Sequence, residues 1–138
     1  LKLRRALTAS NMLSSDVNAA FDPNYASVSE KKNTSFFGNG MVFMKYTGAR
    51  GKSGSNDASA EYLAALRKVM DDANVTYQTS ELGKVDAGGG TIAYIMGNYG
   101  MNVVDSGVAV QNMHAPFEVI SKADLYETYR GYEAFLHM

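Results

Sequence analysis

Two residues of this sequence are of types that bind transition metals, and both lie where predicted strands end. Asp16 ends a predicted strand that begins at Met12, and His114 follows the apolar run Val108–Val110 and precedes the Ala115–Pro116 step. In α/β proteins, sites are built at the carboxyl ends of strands. A carboxylate and an imidazole are zinc-type ligands, but a hydrolytic zinc site needs about three protein ligands. From position alone, a half-buried histidine satisfied by a backbone carbonyl is the interpretation that we favour for His114.

A run of glycines offers a second candidate for chemistry. Gly88, Gly89 and Gly90 follow a predicted strand, and Thr91 opens a short predicted helix that ends near Gly100. Backbone N–H groups in such a turn can bind an anion. The run lacks the Lys-Ser/Thr ending of a nucleotide P-loop and the spacing of a dinucleotide fingerprint. Close approach of the backbone to a neighbouring strand or to a substrate is the interpretation we favour.

The elements that must position these residues alternate between strands and helices. Strands are predicted at Met41–Tyr46, at Val75–Thr79 and at Met101–Val104, where Asp105–Gly107 break the apolar run. A helix over Ala58–Ala73 presents an apolar stripe that includes Tyr62 and Leu66. The last helix is predicted to bury Leu125, Tyr129, Tyr132 and Leu136, after a capping box at Ser121 and Asp124. Alternation of this kind predicts a layered α/β unit.

Composition narrows the function classes. The 138 residues are one domain's worth of chain or less, and the 46% apolar content supports a packed core. A net charge of −1 gives no electrostatic reason to expect nucleic acid or an anionic membrane as a partner. The absence of cysteine from this sequence excludes disulfides, thiolate ligands and a cysteine nucleophile within it. We expect a cytoplasmic protein. The first residues resemble the second half of a helix, so we also expect a fragment of a longer chain.

Four blocks of the sequence resemble a known family in the same order. The blocks SSDVNAAFDPNY, KYTGARGKSGSNDASAEY, GKVDAGGGTIA and VVDSGVAVQNMHAPFEVISKADLYETYRGYEAFL are similar to the C-terminal part of the aspartyl aminopeptidase and vacuolar aminopeptidase I family of zinc metallopeptidases. The bacterial aminopeptidase I branch is the more similar one. The resemblance implies a three-layer phosphorylase/hydrolase-like α/β fold, of which residues 1–138 are the C-terminal part of the catalytic domain.

The same resemblance assigns roles to individual residues. It implies two zinc ions per complete active site, with Asp16 as a ligand of one and His114 as a ligand of the other. The remaining ligands and the glutamate that acts as general base are implied to lie upstream. Lys45 matches a lysine that reaches toward the substrate, and Gly89, Gly90 and Thr91 match a turn that lines the substrate cleft. The preferred N-terminal residue of the substrate is left open.

Two functions follow from these observations. In the first, the chain is part of a dizinc aminopeptidase that hydrolyses the N-terminal residue from peptides with a metal-bridged hydroxide. The fragment alone is then expected to be inactive. Peptides are then the substrate, and the resemblance implies a large homo-oligomer, a dodecamer. The second is a non-catalytic assembly or scaffold piece, in which the aromatic last helix packs between subunits.

Overall fold

The computed structural model describes residues 1–48, 54–81 and 91–138. The structure begins with helix α1 (Lys2–Thr8), strands β1 (Asn11–Ser15) and β2 (Asn18–Ala19) and a 3-10 helix (Pro23–Val28), followed by β3 (Met41–Met44), β4 (Tyr46–Thr47) and β5 (Asn56–Asp57). It continues with α2 (Ala60–Asp72), β6 (Tyr77–Ser80), α3 (Ala93–Gly97), β7 (Asn102–Gly107), β8 (Ala109–Gln111), β9 (Val119–Ile120) and α4 (Lys122–Leu136).

A four-stranded sheet forms the centre, in the order β1-β7-β3-β6. Strand β1 runs parallel to β7, and β3 runs parallel to β6 but antiparallel to β7. A second sheet has the order β2-β8-β9, with β2 parallel to β8 and β8 antiparallel to β9. Strands β4 and β5 form an antiparallel pair.

Alternating side chains of the central sheet face two different helical layers. Met41 and Phe43 pack with Leu66 and Met70 of α2 in the larger core cluster, and α4 also packs on β3. Helix α3 packs on β7, and the alternate residues Val42 and Met44 form a separate cluster. The three-layer α/β fold predicted from the sequence is confirmed. No helix in the described parts of the chain is long and apolar enough to cross a membrane.

The buried face of α4 differs from the predicted stripe. Asp124, Thr128 and Gly131 are its buried residues, and Tyr132 packs against the core as predicted, whereas Leu125, Tyr129 and Leu136 are exposed. Gly131 lies so close to β3 that a Cβ at this position would be 2.4 Å from the Met41 sulfur. The face was predicted from hydrophobicity, but close packing of the helix on the sheet selected small and polar residues instead.

Two hydrogen bonds attach α4 to the segment that follows α2, and a third, within α4, joins the two side chains that make them. The Glu127 carboxylate accepts a hydrogen bond from the backbone N–H of Thr76 at 2.6 Å and from Arg130 at 2.9 Å. Arg130 also donates to the backbone carbonyl of Ala73 at 2.9 Å. The Thr76 N–H, more than any other group, holds the pKa of Glu127 below its usual value.

A pH dependence follows from this lowered pKa. A carboxyl whose pKa is lower in the folded state stabilises the protein above its unfolded pKa of about 4.3, and this contribution is lost as the pH falls through the folded value. We expect Glu127→Gln to lower the free energy of unfolding by about 1 kcal/mol at pH 7 and by less at pH 3. Denaturant unfolding at both pH values measures the difference. Glu133→Gln, at an exposed position of the same helix, is the control, and an equal loss at both pH values would contradict the prediction.

Candidate functional site

Asp16 lies directly beyond the carboxyl end of β1. Its backbone N–H donates to the carbonyl of Ser106 at 3.3 Å, which continues the parallel pairing of β1 with β7. The Asp16 Oδ1 accepts from the backbone N–H of Val17 at 2.9 Å, and the side chain is half-buried. The carboxylate is therefore oriented by its own turn. A carboxylate has two oxygens with several acceptor sites, so it is of a type that can bind a metal ion.

His114 lies three residues beyond β8, in a loop with unusual backbone conformation. Its φ is +68° and that of Asn112 is +59°, a left-handed region that non-glycine residues enter at a cost of roughly 1–3 kcal/mol. The loop is held by two hydrogen bonds, from the His114 N–H to Glu118 Oε1 at 2.5 Å and from Ala115 N–H to the Asn112 carbonyl at 2.9 Å. The His114 side chain is exposed rather than half-buried. The structure thus presents an accessible imidazole at a fixed, strained position.

Strand pairing relates the two candidate ligands. Asp16 follows β1, which pairs in parallel with β7, and His114 lies beyond β8, which pairs in parallel with β2. Both residues therefore lie beyond the carboxyl ends of strands, where α/β proteins build their sites. Within residues 1–48, 54–81 and 91–138, no group of three or more His, Cys, Asp or Glu side chains could hold a metal ion. The chemistry of Asp16 and His114 fits zinc, but it supplies a partial ligand set. Their role as ligands stays a prediction.

Lys45 lies elsewhere on the sheet. Because β3 runs antiparallel to β7, it leads away from the end of the sheet at which β1 reaches Asp16, and Lys45 follows Met44, which pairs with Asp105. Its ammonium group forms an ion pair with Asp57. Lys45 also lines a cavity of about 350 Å³, together with Asn33, Ala60, Leu63, Ala64, Arg67, Thr79, Ser80 and Glu81. Contact of Lys45 with a substrate stays a prediction.

Of the predicted substrate-lining turn, the structure describes Thr91 alone, since Gly89 and Gly90 lie outside the described residues. The Thr91 side chain is 6% exposed, and its hydroxyl donates to Asp105 Oδ2 at 2.5 Å. It also accepts from the backbone N–H of Ala93 at 3.3 Å. The hydroxyl therefore faces the protein interior, and any contact of Thr91 with a substrate involves its backbone.

Asp105 was missed as a candidate by the sequence analysis. It was interpreted as part of a break in the apolar run, but β7 continues through it to Gly107 and its side chain is fully buried. Burial raises its pKa, with a smaller contribution from the negative charge of Asp16, whereas hydroxyls including those of Thr91 and Ser14 lower it. A lone acidic residue inside a strand of apolar neighbours was the signal that could have identified it.

Comparison with known proteins settles the family. Residues 2–136 match the family model for peptidase M18, described as aminopeptidase I zinc metalloprotease. The chain belongs to the peptidase M18 family. The probable M18 family aminopeptidase 1 of Clostridium acetobutylicum is 64% identical over 138 residues, which are 99% of this chain and 30% of that protein. The corresponding protein of Thermotoga maritima is 46% identical over 135 residues, which are 97% of this chain and again 30% of the relative.

Solved structures agree with this M18 assignment. The crystal structure of aminopeptidase I from Clostridium acetobutylicum superimposes with a TM-score of 0.90 at 64% identity, over 99% of this chain and 30% of that one. The dodecamer of Saccharomyces cerevisiae mApe1 has a TM-score of 0.77 at 19% identity, over 98% of this chain and 28% of that one, which shows the fold alone. This M18 chain thus spans about 30% of the length of the curated relatives it matches.

Proposed function

We propose that these residues form the C-terminal part of the catalytic domain of a dizinc aminopeptidase that removes the N-terminal residue from peptides. The observation that carries the proposal is the family match over residues 2–136, joined to the position of Asp16 and His114 just beyond strand ends. Zinc would supply polarisation of the peptide carbonyl and activation of a water molecule. The remaining ligands and the general base belong to the longer part of an M18 chain.

Each of the two proposed ligands is prepared for its role by its surroundings. The Val17 N–H orients the Asp16 carboxylate, so that one oxygen is fixed before a metal ion binds. The bond from the His114 N–H to Glu118 holds the backbone that carries the imidazole. Such preorganisation lowers the entropy lost on binding. We assign Asp16 to one ion and His114 to the other, and Lys45 and the turn Gly89–Thr91 to the substrate.

We also propose that the protein works as a cytoplasmic homo-oligomer. The support is the outer face of α4, where Leu125, Tyr126, Tyr129 and Leu136 are exposed, together with Phe117 and Val119 before the helix. Exposed apolar groups of this number on one side of a helix are typical of an interface. The solved mApe1 dodecamer shares the fold, which makes a dodecamer the specific form we propose.

Zinc-dependent activity should require the longer chain. We define the full-length enzyme as an M18 chain that carries these residues at its C-terminal end, either the native one or a chimera with the Clostridium acetobutylicum relative. Incubated with zinc and an aminoacyl chromogenic substrate, the full-length enzyme is expected to release the chromophore and to lose this activity with a chelator. The isolated 138-residue chain is expected to stay at the level of the metal-free control.

The same assay distinguishes the alternative function. If the isolated chain cleaves the substrate faster than the metal-free control does, the proposal that the remaining metal ligands and the general base lie outside these residues is contradicted. A full-length enzyme that stays inactive with zinc, yet assembles into oligomers, favours the non-catalytic assembly piece instead. Size-exclusion chromatography with light scattering, run on the same samples, measures the assembly.

A further inference from the structure

A buried polar cluster occupies the face of the central sheet under α3. It consists of Asp105 of β7, Ser14 of β1, Thr47 of β4 and Thr91, and each of these side chains is at most 6% exposed. The register places Ser14 directly beside Asp105. We call these four residues the Asp105 cluster. None of them carries a role in the proposed chemistry except Thr91, which was assigned to the substrate cleft.

The strongest contact in the Asp105 cluster joins the sheet to the start of α3. Thr91 Oγ1 donates to Asp105 Oδ2 at 2.5 Å, and the same oxygen accepts from the Ala93 N–H at 3.3 Å. The Thr91 and Thr47 hydroxyl oxygens are 3.4 Å apart. A hydrogen bond to a carboxyl group is stronger than one between neutral groups. Thr91 is thus fixed from the strand side and from the helix side.

Stability alone does not account for an aspartate at this position. The Asp105 Oδ1 is buried and makes no hydrogen bond of acceptable geometry within the part of the chain that the structure describes. A buried polar atom without a partner costs roughly 1–3 kcal/mol, and an apolar residue in a central strand would avoid that cost. An unsatisfied buried carboxyl oxygen therefore calls for an explanation other than stability, and a role in the neighbouring site is such an explanation.

We propose that Asp105 is a positioning residue of the peptidase: through Thr91 it fixes the wall of the substrate cleft relative to β1, the strand that ends at Asp16. This inference rests on the proposed function, since it needs a cleft and a metal ligand to position. Ser14, beside Asp105 in the register, is two residues before Asp16 in the chain. Displacement of Thr91 therefore changes the distance between the substrate and the metal ligand without removing either one.

The test uses the full-length enzyme and weakens the contact from both ends. Thr91→Val removes the hydroxyl at nearly constant volume, Asp105→Asn keeps an acceptor oxygen but removes the charge that strengthens the bond, and Thr91→Ser keeps the hydroxyl. Misplacement of a substrate by a fraction of an ångström lowers the rate substantially, so Thr91→Val and Asp105→Asn should each lower kcat/KM roughly tenfold, mainly through kcat. Thr91→Ser should lose less activity than Thr91→Val, because it keeps the hydroxyl that bonds to Asp105. Bound zinc, measured by atomic absorption, should be unchanged in all three.

The double variant and a second buried carboxyl group complete the design. Because both changes act on the same contact, the double variant Thr91→Val with Asp105→Asn should lower kcat/KM by no more than the worse single change does. Asp124→Asn is the matched control: Asp124 is equally buried, but it binds the backbone of Gly38 and Gly40. It should lower the melting temperature and leave kcat/KM unchanged in the folded enzyme.

The outcomes separate the inference from the proposed function. Unchanged kcat/KM in Thr91→Val and Asp105→Asn, an equal loss in Asp124→Asn, or a loss that follows zinc content would each overturn the positioning role while the peptidase assignment stands. An unsubstituted full-length enzyme that is inactive with zinc would overturn the proposed function, and the inference with it.

Discussion

Replacement of Asp16 by asparagine in the full-length enzyme is expected to lower kcat/KM on the order of 10³-fold and to reduce bound zinc. The amide is close to the carboxylate in size but neutral, so it binds a divalent cation much more weakly. A metal ion supplies several kcal/mol of charge stabilisation in the transition state, and each 1.36 kcal/mol corresponds to about a factor of ten in rate. Kinetics with a saturating excess of zinc, together with metal analysis of the purified protein, measure both effects.

Asp22 provides the matched control for Asp16. It lies six residues further along the chain, and its Oδ1 accepts from the backbone N–H of Asn24 at 2.8 Å at the start of the 3-10 helix. Asp22→Asn retains a capping residue and should leave kcat/KM and zinc content within a factor of about two, since asparagine caps nearly as well as aspartate. If Asp16→Asn behaves like Asp22→Asn, then Asp16 is not a ligand and the metal-site proposal fails.

Replacement of Asp124 by alanine is expected to destabilise the protein by about 3–5 kcal/mol. The Asp124 side chain is fully buried and accepts hydrogen bonds from the backbone N–H groups of Gly38 and Gly40, both at 2.8 Å. Alanine leaves both donors without this acceptor and opens a gap between α4 and the turn before β3. Guanidinium unfolding followed by circular dichroism measures the loss in free energy.

The position of the turn explains why Asp124 matters so much. Gly38 and Gly40 have φ values of +83° and +81°, and a Cβ on Gly40 would be 2.0 Å from the Thr76 carbonyl oxygen. Position 40 therefore has no room for a side chain, and Asp124 is the acceptor for the backbone N–H groups of both glycines. Asp72→Ala is the control, because the exposed Asp72 carboxylate pairs with Lys68 one helical turn away. Its loss should be within about 0.5 kcal/mol, and an equal loss in both variants would contradict the prediction.

Local sequence patterns correctly predicted those helices and strands whose structure depends mainly on residues close to one another in the sequence. The apolar stripe predicted for the second helix is present in α2, where Tyr62 and Leu66 are buried. The run that begins at Met41 is a strand in which all four residues are buried. The start of this helix was predicted at Ala58, whereas α2 begins at Ala60 and is capped by Ser59, whose hydroxyl accepts from the Tyr62 N–H at 3.2 Å. Such shifts are expected, because several polar residues in succession can all serve as caps.

Long-range contacts decided what the patterns missed. The capping box at Ser121 and Asp124 is half present: Ser121 Oγ accepts from the Asp124 N–H at 3.3 Å, but the Asp124 carboxylate binds Gly38 and Gly40 instead of the helix start. No local pattern contains that turn. The same holds for Asp105, which is in the interior of β7 because Ser14 on one side and Met44 on the other complete the sheet around it.

The sequence by itself determined the family and the identity of Asp16 and His114 as candidate ligands, because residue types and their order along the chain are sufficient for both. The tertiary structure alone decided that β1 and β7 run parallel, that β3 opposes them and so leads Lys45 away from the end that carries Asp16, and that Asp105 is buried against Thr91. These features depend on hydrogen bonds between strands far apart in sequence. Pairing and register are settled when the whole core packs, and a local stretch of residues does not contain that information.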